Sequence, residues 1–581
     1  LLQLKNKDVT ASGRFFFRLP YDKDGQTDLT LLIGVRDSLG TAFKEYIPPD
    51  EVGVKTHKWL MNAIQGGQVH TGGFMLNANT RSRLADYQKP VVQLFLDVDK
   101  LQFGFDPEWP SVTQGKGYFL YRDFGFLTEA SGTLLDSTVQ EAWVYSAPGA
   151  TRLQILGNVQ GDAKDIRKIL LQTPIRSEVG SELPRWEWSA KADTKLDIDI
   201  ALNGKRGPAV RASTRLRSGR FVSVENRLSF ENISGELRFS TEKGLQSNKL
   251  DGRLFGQPIK AVIESSRDKE RGQQTRLALD GIADIRQVQE WLNQPYLAVS
   301  EGKAAYRAEL ELCTGSPFCN QLKIRSDLVG ISVEAPAPFG KEPDEPRLFD
   351  VLYTLGDETQ QRIWLNYGGD LRAVFQLSQG KVKAGQLALG ADSVKLPTRP
   401  GLWVDGTLAR LDVAELRRFL SNAGFMPSDT EPPAVADSVG TEMLLEDIRL
   451  QIGELVSGGL TLPQLQIQVR NANAGWQING ENRMFKGRLF LPDDKSQISS
   501  LTLEYLKIER DQFSDTGSAS SSEASQDSGF SASELPVIDL NVKAVEVRGK
   551  PYGAWSMEMR PDAYGATFQN VRGNMFGVNV S

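Results

Sequence analysis

Hydrophobic and polar residues alternate along most of this chain. Within residues 195–202, Leu196, Ile198, Ile200 and Leu202 take one parity, while Lys195, Asp197, Asp199 and Ala201 take the other. Leu465, Ile467 and Val469 alternate in the same way with Gln464, Gln466, Gln468 and Arg470. Leu540, Val542 and Ala544 alternate with Asp539, Asn541 and Lys543. Successive side chains of a strand point to opposite faces, so a period of two predicts sheet with one apolar and one wet face.

The helical period is rare and appears three times in one recurring pattern, a strand that runs through a glycine to an aspartate and then a helix. The copies are LQILGNVQGDAKDIRKIL with Asp162, LALDGIADIRQVQEWL with Asp284, and LWVDGTLARLDVAELRRFL with Asp412. Each aspartate suits an N-cap, because its carboxylate accepts from the free N–H groups of the first turn. Ile285, Val288, Trp291 and Leu292 then share one helical face. The spacing predicts helices over 162–171, 284–294 and 412–424, with a looser copy at 50–66, opened by Pro48, Pro49 and Asp50. The caps lie 122 (284 − 162) and 128 (412 − 284) residues apart. Such a period reads as a repeat array with units at 1–160, 161–282, 283–410 and 411–581.

These helices total roughly 50–55 residues, about a tenth of the chain against the usual third. They cannot cover the apolar face of so much sheet. That face can be buried by folding the sheet onto itself, as a sandwich or barrel, or by curling it into a trough filled by a non-protein ligand. At roughly 14–16 residues per strand and turn, the chain holds on the order of 35–40 strands. Stacked at about 4.8 Å, these make a ribbon roughly 170–190 Å long. An apolar trough of that length suits acyl chains, which need burial without specific polar chemistry. The fold expected is mainly β: an elongated, twisted, curled antiparallel sheet groove of repeated multi-strand units with short connecting helices. Its candidate lining is Leu196, Ile198, Ile200, Leu202, Leu465, Ile467, Val469, Leu540 and Val542. The alternative is a structural or adhesive β-sandwich array of the cell envelope, with a protein core and no lipid.

Composition narrows the function further. Basic residues (68) and acidic residues (73) are well mixed and give a net charge of −5, without the basic stripe a nucleic-acid partner requires. No run approaches 18 apolar residues, so no spanning helix is expected. The chain starts at Leu1 without Met and stops in an apparent strand, which reads as a fragment. Residues 513–535 are low-complexity and serine-rich, and 428–439 are proline- and acid-rich; the first is expected to be disordered and the second an exposed loop. Cys313 and Cys319 flank a Gly-Ser-Pro turn between two short strands, placing them within reach of a disulfide in an oxidising compartment.

A search for chemistry finds none. The two histidines, His57 and His70, have no acid or nucleophile pattern around them, and no nucleophile elbow, zincin or P-loop motif occurs. Asp97 with Asp99, and Asp197 with Asp199, put paired carboxylates on one strand face, which alternation itself produces; these read as a solvated face. No catalytic residue, metal or cofactor is expected, and the protein is not read as an enzyme.

Several stretches resemble the YhdP branch of the AsmA-like family, large envelope proteins of Gram-negative bacteria. They are KEYIP (44–48) with Trp59-Leu60 and Gly66-Gly67, FDPEWP (105–110), LDGRLFGQPI (250–259), SDLVGISVEAPAPFGK (326–341), GWQINGENRMFKGRLFL (475–491) and GNMFG (573–577). The resemblance implies a bridge-type lipid transporter of repeating β-groove units, anchored in the inner membrane and crossing the periplasm toward the outer membrane. Its implied cargo is phospholipid. The anchor is absent from this sequence, and the family carries no catalytic residues to transfer.

Overall fold

The structure, a computed structural model, describes residues 2–21, 27–47, 54–79, 90–122, 125–173, 186–201, 208–224, 227–268, 272–293, 295–313, 319–355, 360–423, 445–457, 460–472, 474–494, 496–508, 536–562, 565–575 and 578–580. Leu202, residues 428–439 and residues 513–535 lie outside them. Among the described residues the chain is mainly β, with 32 strands and few short helices. It groups into two compact units, Leu1–Leu279 with Glu311–Ser316, and Asp280–Leu310 with Pro317–Ser581.

In the first unit, strands consecutive in sequence pair with one another, and every described pairing is antiparallel. The run begins at Leu2–Lys5 on Thr10–Arg18 and proceeds through Glu187–Ala201 to Gln257–Asp268. The second unit departs from the expected antiparallel sheet and is mixed. Lys381–Leu389 runs parallel to Gly401–Asp412, which runs parallel to Leu445–Ser457, and Ser499–Ile508 runs parallel to Ile538–Val547. Parallel neighbours need a connection long enough to carry the chain back along the strand. Residues 390–400, the helix after Asp412 and residues 509–537 occupy those three connections. Within each unit the sheet curls without closing.

Four helices of eight or more residues are described: α1 (Val54–Ala63), α2 (Ala163–Gln172), α3 (Ile285–Leu292) and α4 (Val413–Asn422). The carboxylates of Asp162, Asp284 and Asp412 accept from Lys164 N–H, Arg286 N–H, and both Ala414 and Glu415 N–H, so all three caps form. α3 stops at Leu292, two residues before the spacing predicts. Asn293 adopts a left-handed conformation (φ 54°) and donates its N–H to Gln289, a geometry a short polar side chain tolerates. Asp165 of α2 is buried and accepts from Ser137 Oγ (2.7 Å) and Asp136 N–H (3.1 Å), docking the helix on the turn before Ser137–Ser146. The period of the sequence carried no sign of this bond.

One segment of the second unit has no counterpart among the predicted elements. After Ile331–Val333, which pairs with Ser300–Gly302, the chain turns back through Pro336 and Pro338 and bridges Val333 to Lys341. The Lys341 ammonium is buried and donates to the carbonyls of Leu328 (3.0 Å), Ile331 (2.5 Å) and Glu342 (2.7 Å). Arg347 lies over the Tyr367 ring (5.0 Å) and donates to Pro338 O, while Tyr367 Oη donates to Phe339 O. Tyr367 shares parity with Leu365, so the segment folds over the apolar face at that end of the strands.

Candidate functional site

Directly opposed residues of paired strands share a face, so the registers trace each face from strand to strand. In the first unit, Ile198 stands between Ile155 and Val210. From Ile155 the row runs back through Val144, Thr128, Phe119, Leu96, Gly72, Val35 and Ala11 to Leu4. Ten pairings thus join eleven residues, none charged. Leu196, two residues along on the same face, lies between Gly157 and Ala212, and Ile200 faces Leu153.

The second unit carries a longer row. Ile324, Val351, Leu365, Ala373, Leu387 and Val404 lead to Ile448, then Val469, Ile478, Leu489, Leu501, Leu540 and Met557. Twelve pairings join thirteen residues, all apolar. Beside it a second uncharged row contains Leu450, Ile467, Gly480, Gly487, Leu503, Val542 and Trp555. Val469 and Leu540 therefore belong to one row, and Ile467 and Val542 to its neighbour. Residues such as Phe119 and Met557 join these rows although their segments did not stand out in sequence. Only the register reveals them.

The opposite face carries a polar row, beside a largely apolar one of Leu352, Trp364, Val374 and Trp403 in which Val374 is buried. The interleaved row of the second unit holds Arg325, Asp350, Asn366, Arg372, Ala388, Asp405 and Arg449, then Gln468, Asn479 and Arg488. Arg325 Nε meets Asp350 at 2.7 Å, and Arg449 meets Asp405 at 3.4 Å. In the first unit Asp199 pairs with Arg152 (2.7 Å) and Asp197 with Arg211 (3.7 Å), so those two carboxylates stand in cross-strand ion pairs. Asp99 sits 3.6 Å from His70, and the Lys100 N–H, followed by His70, holds its carboxyl below the ordinary value. Among the described residues no group of three or more His, Cys, Asp or Glu is placed to hold a metal ion.

Burial along the apolar face is graded. On Glu187–Ala201, Ala192 is buried, while Leu196, Ile198 and Ile200 are half-buried. α2 packs against this strand, and the Asp162 cap also accepts from Ala190 N–H. On Leu460–Ala472, Leu465 is buried and Ile467 and Val469 are half-buried; on Ile538–Val547, Val542 is buried and Leu540 half-buried. Leu465 and Val542 are thus enclosed by the protein itself. The others stand half-buried on the apolar face.

Burial also raises the phenols of Tyr306, Tyr353 and Tyr367, that of Tyr306 to about 12. Cys313 and Cys319 are disulfide-bonded. Among the described residues no helix is long and apolar enough to cross a membrane.

Comparison with known proteins adds the lineage. The "Intermembrane phospholipid transporter YhdP" of Escherichia coli (strain K12) is 22% identical over 355 residues, covering 60% of this chain and 28% of that protein. The chain therefore spans well under half the length of this relative. No solved structure matches it significantly. The profile of the YhdP protein family matches residues 1–574, nearly the whole sequence, and the chain belongs to the YhdP family.

Proposed function

We propose that this chain is a stretch of a non-enzymatic conduit that carries phospholipids between the inner and outer membranes of a Gram-negative envelope. Acyl chains lie along the half-buried apolar rows, and headgroups stay at the open, wet edge of the curled sheet. The observation that carries this reading is the row from Ile324 to Met557, apolar at every one of thirteen strands, in which Val469 and Leu540 stay half-buried away from the segment that folds over Tyr367. Apolar side chains left half-exposed in a continuous band mark a surface built to contact something apolar. The ion pairs of Arg325 with Asp350 and Arg449 with Asp405 keep those stretches of the reverse face in water. Movement along such a track needs no nucleotide, because each row offers the same environment as the next. The relative that transports phospholipid between membranes supports the choice of cargo.

In this reading the protein is periplasmic, as part of a longer inner-membrane-anchored protein, and Cys313–Cys319 fits an oxidising compartment. On the same reading the capped helices punctuate the repeats. Half-buried Leu196, Ile198, Ile200, Ile467, Val469 and Leu540 line the track, with Leu202 as the next residue of that parity. Buried Leu465 and Val542 form the floor at its closed side.

The test is the lipid content of the purified chain. Solvent extraction and mass spectrometry should recover phospholipid from the wild type. Ile198→Asp and Ile467→Asp should lose it while keeping the wild-type circular dichroism. A chain that purifies folded and free of lipid from a phospholipid-rich lysate defeats the proposal.

A further inference from the structure

The polar face of the first unit is broken by a hollow. Ser12, Gly34 and Gly73 stand opposite one another on three adjacent strands, and the row continues through Phe95 and Leu120 to Tyr145 by way of Leu127. Gly72 and Leu96 belong to the apolar row, so Gly73 and Phe95 point the other way. Two residues along, a second row on the reverse face runs from Arg14 through Leu32, Met75 and Gln93 to Arg122. Backbone alone lies between the two rows. A Cβ added at Gly73 meets nothing within 4 Å, and one at Gly34 meets only Ser12 O at 3.8 Å; one at Gly72, on the apolar face, meets Leu96 at 2.9 Å. The hollow encloses about 1080 Å³. That is at the top of the range of pockets that take small molecules, roughly 300–1,000 Å³.

Its chemistry differs from the surrounding face. Where Glu187–Ala201 displays ion pairs, the hollow displays Phe95, Leu120 and Tyr145, which are 38%, 40% and 48% exposed. Among the described residues its charged lining residues are both arginines, Arg14 and Arg122, and no carboxylate lines it. Four strand steps at about 4.8 Å place them about 19 Å apart, at two ends of an apolar trough. Two residues of strand set the spacing between the rows at about 6.6 Å. A helix, about 10 Å across with its side chains, does not fit between them, whereas one hydrocarbon chain does.

The geometry points to a second ligand site here: a single-chain anionic amphiphile lies across the strands over Gly34 and Gly73, with its carboxylate or phosphate on Arg14 or Arg122. The site is on the face opposite the proposed conduit and is independent of it. It holds one molecule instead of passing many, because the glycine floor spans only these strands.

The experiment uses the full chain and two probes, oleate carrying a photoactivatable diazirine and the corresponding neutral alcohol, with labelled peptides mapped by mass spectrometry. Oleate should label Val91–Phe103 or Val112–Arg122. Gly73→Leu should cut that labelling at least tenfold without changing any labelling of Glu187–Ala201. Gly34→Val, whose added atoms enter the same open space, serves if Gly73→Leu does not fold. Arg14→Gln combined with Arg122→Gln should weaken labelling by oleate several-fold and leave labelling by the alcohol unchanged. Labelling indifferent to the filled hollow, or equal for acid and alcohol, overturns the site. Chain-to-chain crosslinks through Phe95 also overturn it, by making the hollow an interface between copies. Labelling in the hollow without any on the Ile198 face would sink the conduit and leave this site standing.

Discussion

Leu465 and Ile467 point to the same side of one strand, two residues apart, yet Leu465 is 3% exposed while Ile467 stands half in the open. The step between them is the boundary between protein core and proposed lipid track. Leu465→Ala removes packed methyl groups and leaves a cavity, so it should cost about 2–5 kcal/mol. Ile467→Asp adds a charge where water reaches, so the fold should lose about 1 kcal/mol or less while bound phospholipid disappears. Denaturant titration and lipid extraction of both variants separate the two roles. Equal destabilisation by both would erase the boundary.

How far this boundary is legible in the sequence depends on what each level of structure encodes locally. Alternation at 195–202 and 464–470 gives the strands and the parity of their faces, because a strand's period is a property of the backbone. The aspartate caps are equally local, and all three form as the spacing predicts. Residues 91–98 carry apolar side chains on both faces, and the structure supplies the reason: Leu94 and Leu96 lie on the face of the apolar row, while Phe95 walls the hollow behind it. The difference between Leu465 and Ile467 is invisible in sequence, since both are aliphatic at one parity. The parallel pairings were also out of reach, because they depend on where a long connection lands. Nothing local to the Lys341 segment announces that its lysine is buried.

The double cap at Asp412 is a direct test of the recurring helix start. Its carboxylate accepts from Ala414 N–H at 2.9 Å and Glu415 N–H at 3.3 Å. Asp412→Ala leaves both donors without that partner and should cost about 1 kcal/mol, with Asp412→Asn recovering most of it. Chemical denaturation followed by circular dichroism reads the difference. A neutral Asp412→Ala would mean the helix is held by packing alone.

Cys313 and Cys319 are six residues apart, so their bond closes a short loop. Loop-closure entropy grows with loop length, and about 3 kcal/mol is expected for 15 residues. A smaller gain, about 2 kcal/mol, follows here. Cys313→Ser should therefore unfold at slightly lower denaturant and should abolish the effect of reductant on the wild type. A loss of the whole fold on reduction would show that the bond does more than close this turn.

Tyr306 gives the chain an alkaline limit. Burial raises its phenol from 10.0 to about 12, so the folded state holds the proton more tightly than the unfolded state. The associated stability is complete below pH 10 and is lost as pH rises from 10 towards 12. Tyr306→Phe should flatten that decline. The lowered Lys341 acts with the opposite sign, its folded form favouring deprotonation below 10.5, so the informative quantity is the difference between wild type and Tyr306→Phe at each pH. Parallel curves for the two proteins would remove Tyr306 from the account.

Lys341 sets two large effects against each other. Burial disfavours its charge and lowers its pKa, which by itself argues that an apolar side chain is better there. Against this stand three carbonyls, of Leu328, Ile331 and Glu342, all turned toward one ammonium. Charge-assisted hydrogen bonds contribute about 1.5–3 kcal/mol each, and buried carbonyls left without a donor cost about 1–3 kcal/mol each. Three such bonds outweigh the desolvation of one partly relaxed ammonium, so Lys341→Met should lose about 3 kcal/mol despite matching the stem in length. Lys341→Arg should fail as well, because a planar fork cannot address three carbonyls around a point charge. The Arg347–Tyr367 contact rests on the same segment. Unpinning Lys341 should therefore uncover the apolar face at Tyr367 and speed amide exchange in 334–348 before the sheet itself opens. Hydrogen exchange resolved by peptide checks the order of events, and unchanged protection of 334–348 in Lys341→Met would show that the proline turns hold the segment without the lysine.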